Sequence, residues 1–297
     1  MLKADGISID SVAWAPNSRF LATAGWTGHA WVWDVSNGRT LYALEGHQDA
    51  IWSISWSPDA RLLATVGHDG ATRLWDAASG ASVSVFEGIG LGSRMIAWSP
   101  SGKYLATGDW DGKVWVYDVS TGEAFRVLDG HVGHVYSVAW SLDGRHLLSG
   151  GADDTAVIWD VIRGTSVQVL NGHTNDVLSV GWSPEGTHVV TASSDGTARI
   201  WNAASGVSVS VLEGHTKEVD SVAWSPNGRQ VVTASTDGTA RIWIADSGLL
   251  VARLTERVCK IMRDEEIRTE IAKWRGCEVE LAAVAEELEM YWRLRGR

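Results

Sequence analysis

Cysteines and long hydrophobic runs are both scarce in this sequence. Its two cysteines, Cys259 and Cys277, lie near the C-terminus, and two thiols in 297 residues cannot form a disulfide framework. No run approaches the roughly 18 consecutive apolar residues of a transmembrane helix, and the N-terminus lacks the basic and then apolar pattern of a secretory signal. We therefore expect a cytoplasmic protein that is not stabilised by disulfides.

Positive charge is scarce as well. Lys and Arg number 25 against 36 Asp and Glu, which gives a formal net charge of −11. Because this charge repels polyanions overall, the sequence predicts no DNA or RNA partner. No HExxH, GxSxG or glycine-rich phosphate-binding motif is present. We therefore expect a protein that is not an enzyme and that binds no metal or cofactor.

Tryptophan, in contrast, is in large excess, with 18 Trp against 5 Tyr and 3 Phe. A generic core mixes its aromatic residues, so this bias indicates that one tryptophan-bearing unit has been copied. One series recurs every 42 residues, at Trp14, Trp56, Trp98, Trp140, Trp182 and Trp224. A second series keeps the same step, at Trp33, Trp75, Tyr117, Trp159, Trp201 and Trp243. Six copies account for residues 3–254 without an insertion or deletion.

Each copy has the pattern of four short strands joined by tight turns. In the last copy, an alternating apolar stretch leads into a Pro-Asn-Gly turn, and a more buried stretch leads into an Asp-Gly hairpin. Two further strands follow. Four strands without a helix predict an antiparallel sheet with two apolar faces, which it cannot bury alone. The sequence therefore predicts an all-β fold in which six such sheets stack side by side around a ring.

Two dipeptides recur within the copies. Gly-His occurs at Gly46-His47, Gly130-His131, Gly172-His173 and Gly214-His215, and Trp-Asp at Trp33-Asp34, Trp75-Asp76 and Trp159-Asp160. In these motifs the chain resembles the WD-repeat β-propellers over residues 3–254. The resemblance implies a six-bladed β-propeller and a non-catalytic scaffold for protein–protein interaction. It also implies a hydrogen-bonded set of Asp, His, Ser or Thr, and Trp in each blade.

We expect the complete set only in the last two blades. Its members would be His173, Ser193, Asp195 and Trp201, and then His215, Ser235, Asp237 and Trp243. Blades two and four have Gly67 and Gly151 at the serine position. The histidine is replaced by Asp5 in blade one and by Ile89 in blade three. We therefore predict that blades one and three are the less rigid ones.

Six copies leave two arrangements open for the ring. The first copy begins near Ser8 and the last ends near Leu254, so every blade can form from contiguous sequence. We favour a six-bladed ring closed by side-chain packing between blades one and six. The alternative is an open array that another chain completes.

The composition changes at Thr255, where the glycine-rich turns end and charged residues become dense. Apolar residues then follow helical spacing at Ile267, Ile271, Trp274, Leu281, Val284 and Leu288. This pattern predicts a separate segment, 255–297, with two amphipathic helices at roughly 256–275 and 278–294. They would pack on the propeller or, alternatively, bind a partner or self-associate. The segment is slightly acidic, so the sequence predicts no membrane contact through it.

The informative residues are those that differ between copies, because packing keeps other columns alike. Three columns vary strongly while they keep large or charged side chains. The fifth residue after the histidine position is Asp10, Trp52, Arg94, Tyr136, Leu178 and Asp220. The third residue after it is Ser8, Ala50, Gly92, His134, Asp176 and Glu218. The residue before the aspartate of the hairpin turn is Trp26, His68, Trp110, Ala152, Ser194 and Thr236.

The resemblance implies that these columns line the top of the ring, around the mouth of the central channel. Blades one to four would supply an aromatic arc of Trp26, Trp52, His68, Arg94, Trp110, His134 and Tyr136. Trp, Tyr and Arg are the residues that dominate binding hot spots. Blades five, six and one would supply an acidic arc of Asp176, Glu218, Asp220 and Asp10, which is contiguous only if blade six abuts blade one.

We expect the two arcs to bind a protein or peptide that carries an apolar or aromatic anchor beside Lys or Arg. Two alternatives stay open. In the first, the chain is the regulatory or sensing part of a larger signalling assembly, with the C-terminal helices as its connector. In the second, an enzymatic site in the central channel uses His134, Asp176, Glu218 and Asp220.

Overall fold

The computed structural model describes residues 9–86, 95–246, 248 and 250–255. The two helices predicted within 256–297 therefore lie outside the described residues. Within the described ranges, no helix has the length and apolarity needed to cross a membrane.

The described residues form 24 strands. In chain order, the first twelve strands are β1 Ile9–Trp14, β2 Phe20–Gly25, β3 His29–Asp34, β4 Arg39–Glu45, β5 Ile51–Trp56, β6 Leu62–Gly67, β7 Thr72–Asp76, β8 Ser82–Phe86, β9 Ile96–Trp98, β10 Tyr104–Gly108, β11 Lys113–Asp118 and β12 Ala124–Asp129. The last twelve strands are β13 Val135–Trp140, β14 His146–Gly151, β15 Thr155–Asp160, β16 Thr165–Asn171, β17 Val177–Trp182, β18 His188–Ser193, β19 Ala198–Asn202, β20 Ser208–Leu212, β21 Val219–Trp224, β22 Gln230–Ser235, β23 Thr239–Ile244 and β24 Leu250–Thr255.

Each successive group of four strands forms one antiparallel sheet, in which neighbouring strands are consecutive in the chain. Such a sheet is a meander, because short turns connect every pair of strands. We number these six sheets as blades one to six in chain order. They coincide with the six copies of the repeat, which confirms the all-β expectation and the four-stranded unit.

A separate hydrophobic core fills the space between each pair of successive blades, from one to six. Between blades one and two, Ala22, Val32 and Leu44 of the first blade pack against Ile51 and Trp56 of the second. Equivalent cores occupy the four later spaces. Each sheet thus buries its apolar faces on its neighbours and depends on them for stability.

A tryptophan at the end of the first strand ties each of blades two to five to the blade that precedes it. Four indole N–H groups donate, at 3.0 to 3.3 Å, to main-chain oxygens one blade earlier, in the pairs Trp56 to Ala13, Trp98 to Ser55, Trp140 to Ala97 and Trp182 to Ala139. Trp14 has the same position in blade one, but it is 43% exposed, whereas Trp56 is 6% exposed. Among the described residues, no core cluster joins blade six to blade one. Closure of the ring between these blades therefore stays a prediction.

A chain of buried hydrogen bonds links the loop before a blade to the second and third strands of that blade. In blade five, the Trp201 indole donates to the Thr191 hydroxyl at 2.9 Å. This hydroxyl also bonds to His173 Nε2 at 2.7 Å, and His173 Nδ1 bonds to Asp195 at 2.7 Å. Blades two, four and six contain the same set, in which the hydroxyls belong to Thr65, Ser149 and Thr233.

The prediction that Ser193 and Ser235 belong to this set is wrong. In the register of β18 with β19, Trp201 lies opposite Val189. Its indole therefore reaches the diagonal neighbour Thr191, while Ser193 lies farther along the same face of the strand. Ser193 and Ser235 instead accept hydrogen bonds from the main chain of the hairpin turns that follow them.

The prediction that only blades five and six contain the complete set is also wrong. Gly67 and Gly151 stand at the position of Ser193, but the bonded hydroxyl belongs to a residue two positions earlier in the strand. In blades two and four these residues are Thr65 and Ser149. Blades one and three lack the histidine of this set in their sequence. That these two blades are the less rigid ones stays a prediction.

Blade three has a different arrangement at this place. Tyr117 replaces the tryptophan of the other blades and stacks on Phe86 of blade two, with ring centroids 4.9 Å apart. The Thr107 hydroxyl is fully buried and has no hydrogen-bond partner in the described part of the chain. The buried carboxylate of Asp109 instead accepts a hydrogen bond from the Trp115 indole at 2.8 Å. Blade three thus retains the threonine without the indole that bonds to it elsewhere.

The buried histidines predict how the stability of the fold depends on pH. Burial lowers the pKa of His47 and of His173, and this effect outweighs the hydrogen bonds that both make to aspartates. In the unfolded chain, the histidine pKa is about 6.5. Because the folded pKa is lower, the unfolded chain takes up protons first, so the free energy of unfolding decreases as the pH falls below about 6.5.

We therefore expect the urea midpoint to be lower at about pH 5.5 than at about pH 7.5. Tryptophan fluorescence would follow the unfolding at each pH. The carboxylates that bond to these histidines would not account for a change in the urea midpoint between these two pH values. The pKa of Asp69 and that of Asp195 are held below the usual value, since their hydrogen bonds outweigh the opposing effect of burial. A midpoint that is constant or higher at the lower pH would contradict the prediction.

Candidate interaction surface

Main-chain hydrogen bonds bring two of the three variable columns to the same side of the blades. The N–H of the residue before the hairpin aspartate donates to the carbonyl of the loop residue before the first strand. These bonds are 2.8 to 3.1 Å long and join His68 to Ala50, Ala152 to His134, Ser194 to Asp176 and Thr236 to Glu218. The hairpin of strands two and three therefore lies beside the entry to strand one. We define the top face as the side formed by these hairpins and loops.

The third variable column lies at a β-bulge in the first strand of the blades. In blade two, the register of β5 with β6 includes Ile51 and Ser53 and passes over Trp52 between them. The same irregularity occurs in four other blades, so the residues passed over are Asp10, Trp52, Tyr136, Leu178 and Asp220. A bulge redirects a side chain from the regular alternation of the strand. This explains how large and variable residues are accommodated here without disturbing the cores between blades.

Six aromatic side chains of the top face form an unbroken row across blades one to four. Neighbouring ring centroids are 5.1 to 6.3 Å apart, in the order Trp26, Trp52, His68, Trp110, His134 and Tyr136. The interplanar angles of 57° to 77° are close to the edge-to-face geometry that aromatic quadrupoles favour. The row crosses three boundaries between blades. We call these six residues the aromatic row.

Two hydrogen bonds hold the side chains of the row in place at its end in blade four. His134 Nδ1 donates to the main-chain oxygen of Trp110 at 3.1 Å, across the boundary between blades three and four. Tyr136 donates its hydroxyl hydrogen to Asp176 of blade five at 2.9 Å. The last ring of the row is therefore tied to a residue of the predicted acidic arc.

Sequence reasoning missed Asp49, which bonds to the row. Its carboxylate accepts a hydrogen bond from His68 Nδ1 at 2.8 Å. This bond lowers the pKa of Asp49 below its usual value. Asp49 lies in the loop between β4 and β5, two residues after His47. Nothing in the repeat pattern distinguishes this loop position, because its partner comes from the hairpin of β6 and β7.

The aromatic row is accessible to solvent. Trp26 is 61% exposed, His68 is also exposed, and the other four rings are half-buried. None of the six belongs to the cores between blades. Soluble proteins seldom expose a contiguous group of large apolar rings unless it binds something. The row is therefore the candidate binding surface of the described residues.

The predicted acidic arc is joined to the row through Asp176, which bonds to Tyr136. Glu218 lies in the entry loop of blade six, and Asp220 and Asp10 lie at the bulges of blades six and one. All four are exposed or half-buried. Since contiguity of this arc depends on closure of the ring, it stays a prediction. Arg94 lies outside the described residues, so its place in the aromatic arc also stays a prediction.

The residues of the alternative enzymatic site do not form a cluster of metal ligands. Tyr136 lies between His134, whose ring centroid is 6.0 Å from its own, and Asp176, to which it donates a hydrogen bond. In the part of the chain that the structure describes, no group of three or more His, Cys, Asp or Glu is placed to hold a metal ion.

The repeated sheets and their Trp–Thr–His–Asp hydrogen bonds define a β-repeat protein of the WD type. A comparison with known protein families matches WD40, described as WD domain, G-beta repeat, at residues 3–34, 38–76, 85–118, 122–160, 164–202 and 206–243. These matches cover more than half of the chain, so the chain belongs to the WD40 family. A search among curated proteins finds no match. WD40 proteins generally act as protein-interaction scaffolds and are typically non-catalytic.

Proposed function

We propose that this chain is a scaffold that binds a protein or peptide partner on its top face, through the aromatic row and the neighbouring acidic residues. The observation that carries the proposal is the continuity of the row. Six large rings from four separate repeats are in contact on one face. The fold brings these columns together, but random variation in separate repeats gives no reason for aromatic rings to occupy six successive positions.

The chemistry of this surface indicates the kind of partner. Trp and Tyr bury a large area at a low cost in conformational entropy, which suits them to anchor an apolar or aromatic group. Asp176, Glu218, Asp220 and Asp10 are acidic residues of the same columns, and the chain as a whole has a net charge of −11. We therefore propose a partner in which basic residues flank an apolar anchor.

The proposal is tested by replacing two members of the row, with Trp52→Ala and Tyr136→Ala in one variant. We expect a partner that co-purifies with the tagged full-length chain, identified by mass spectrometry, to be lost from the variant. A hot-spot residue contributes about 2 kcal/mol or more, so the double variant should bind at least about 30-fold more weakly. The isolated partner would then be titrated against both proteins.

The matched control removes apolar surface of another part of the molecule. Val83 and Val209, on the outer strands β8 and β20, are 56% and 50% exposed. A Val83→Ala and Val209→Ala variant should retain the partner with unchanged affinity. Equal recovery of the partner by the row variant and by the wild-type chain would refute the proposed surface. Circular dichroism would confirm that both variants are folded.

A further inference from the structure

At blade five, the end of the aromatic row brings an aromatic ring and a carboxylate together. The hydroxyl of Tyr136 holds Asp176 at 2.9 Å, so the carboxylate is fixed beside the ring. Asp176 is half-buried, and its main-chain oxygen accepts a hydrogen bond from Ser194 N–H, which fixes the loop as well. The position of this carboxylate is therefore determined by two neighbouring elements before any ligand binds.

This carboxylate differs from two other acids of the molecule, which are bonded to arginines. On the opposite side of the blades, Asp160 is bonded to Arg163 at 2.6 Å, and Asp34 to Arg19 at 3.4 Å. Within the described ranges, Asp176 has no such cation, and its side chain accepts a hydrogen bond from the tyrosine hydroxyl. A carboxylate that is partly removed from water and lacks a cation has an electrostatic interaction still to make.

We infer that Tyr136 and Asp176 together receive the guanidinium group of an arginine in the partner. The inference rests on the proposed function and names the group that this surface recognises. A guanidinium is planar, stacks on an aromatic ring and offers paired N–H donors to a carboxylate. The carboxylate can accept them in addition to the tyrosine hydroxyl, because its two oxygens offer about four lone-pair sites.

Arginine fits this place better than lysine for two reasons. A lysine ammonium makes a point contact and is strongly hydrated, so it loses more on entering a partly buried site lined with rings. The rings that continue from Tyr136 through His134 to Trp110 also provide a surface for a weakly hydrated cation and for the apolar residues beside it. The site thus selects a segment in which an arginine adjoins an apolar residue.

The test uses three acetylated and amidated pentapeptides that differ in one side chain, which is arginine, lysine or citrulline, next to a leucine. Citrulline keeps the shape of arginine but lacks its charge. Each peptide is titrated into the full-length protein by calorimetry. We expect the arginine peptide to bind about tenfold more tightly than the lysine peptide, and the citrulline peptide more weakly than both.

Two variants locate the binding site, and a third is their control. Asp176→Asn should lower the affinity for the arginine peptide about tenfold and abolish its advantage over lysine, since a hydrogen-bonded charge is lost. Tyr136→Phe keeps the ring and should cause a smaller loss, because the carboxylate is no longer held. Glu123→Gln removes the same charge from an exposed turn between β11 and β12 and should leave the affinity unchanged.

Similar affinities for the three peptides would overturn the inference, as would an Asp176→Asn variant that binds the arginine peptide like the wild type. No binding of the arginine peptide at millimolar concentration would overturn it too. These outcomes are separate from the proposed function. A natural partner that is lost with Trp52→Ala but retained with Asp176→Asn would support the surface and refute the arginine site.

Discussion

Replacing Thr191 by valine should lower the free energy of unfolding by about 3 kcal/mol, whereas the same replacement at Thr107 should leave it unchanged or raise it slightly. The Thr191 hydroxyl bonds to both the Trp201 indole and His173, so valine leaves two buried polar groups without this partner. The Thr107 hydroxyl has no hydrogen bond to lose in the described part of the chain. Chemical denaturation of the full-length variants, monitored by tryptophan fluorescence, would measure both effects.

The two positions form a matched pair, because both threonines are fully buried in the second strand of their blades. The shape of the side chain changes equally in both variants, so the difference between them isolates the hydrogen bonds. Thr233→Val provides a second instance of the large effect. Similar losses at Thr107 and Thr191 would show that the hydroxyl bonds are not the source of the stability. Hydrogen exchange of the wild-type chain would test the related prediction that blades one and three are less rigid.

Replacing Trp56 by alanine should lower the free energy of unfolding by about 4 kcal/mol, and replacing Trp14 by about 1 kcal/mol. Trp56 is 6% exposed, lies in the core between blades one and two, and donates to Ala13. Alanine at this place leaves a cavity and an unpaired carbonyl. Trp14 is 43% exposed, so its removal takes away less packing. Denaturant titration of both variants would give the two values.

The comparison of these tryptophans also tests the closure of the ring. They occupy the same position of the repeat, so each should contact the blade that precedes it around the ring. If Trp14→Ala were as damaging as Trp56→Ala, blade six would pack on blade one as tightly as the other neighbours do. That result would contradict the expected difference and support a closed six-bladed ring.

The period of the repeat explains why the strands could be predicted. Trp56, Trp98 and Trp140 recur at a fixed step, and a turn with glycine separates each pair of strands, so one blade determines the pattern of all six. In blade six, for example, the sequence pattern predicts strands at 218–224, 229–235, 239–243 and 249–254, and each observed bound differs from these by at most one residue. Local periodicity and turn chemistry are sufficient for this part of the fold.

The hydrogen-bonded set was harder to predict, because two residues on the same face of a strand have the same periodicity. Thr191 and Ser193 both precede the hairpin and both carry a hydroxyl. Only the register of β18 with β19 decides which of them the Trp201 indole reaches. In blade three, the bond from Trp115 to Asp109 depends on an equally specific geometry.

The residues of the binding surface could be predicted, but their contacts could not. Comparison of the copies singled out Trp26, Trp52 and Trp110 without reference to any structure. The contacts between them depend on how far neighbouring blades are rotated against each other, which no pattern within one repeat contains. Asp49 was missed for the same reason, since it acts through the His68 side chain of a neighbouring hairpin.

The contacts of the aromatic row across three blade boundaries have a consequence for a ligand that covers it. Such a ligand contacts several blades at once, so its binding is thermodynamically linked to the cohesion of blades one to four. Saturation of the surface would raise the melting temperature of the whole array. Conversely, replacing Ile96 by alanine would weaken the core between blades two and three. The complex would then be less stable although Ile96 does not contact the ligand.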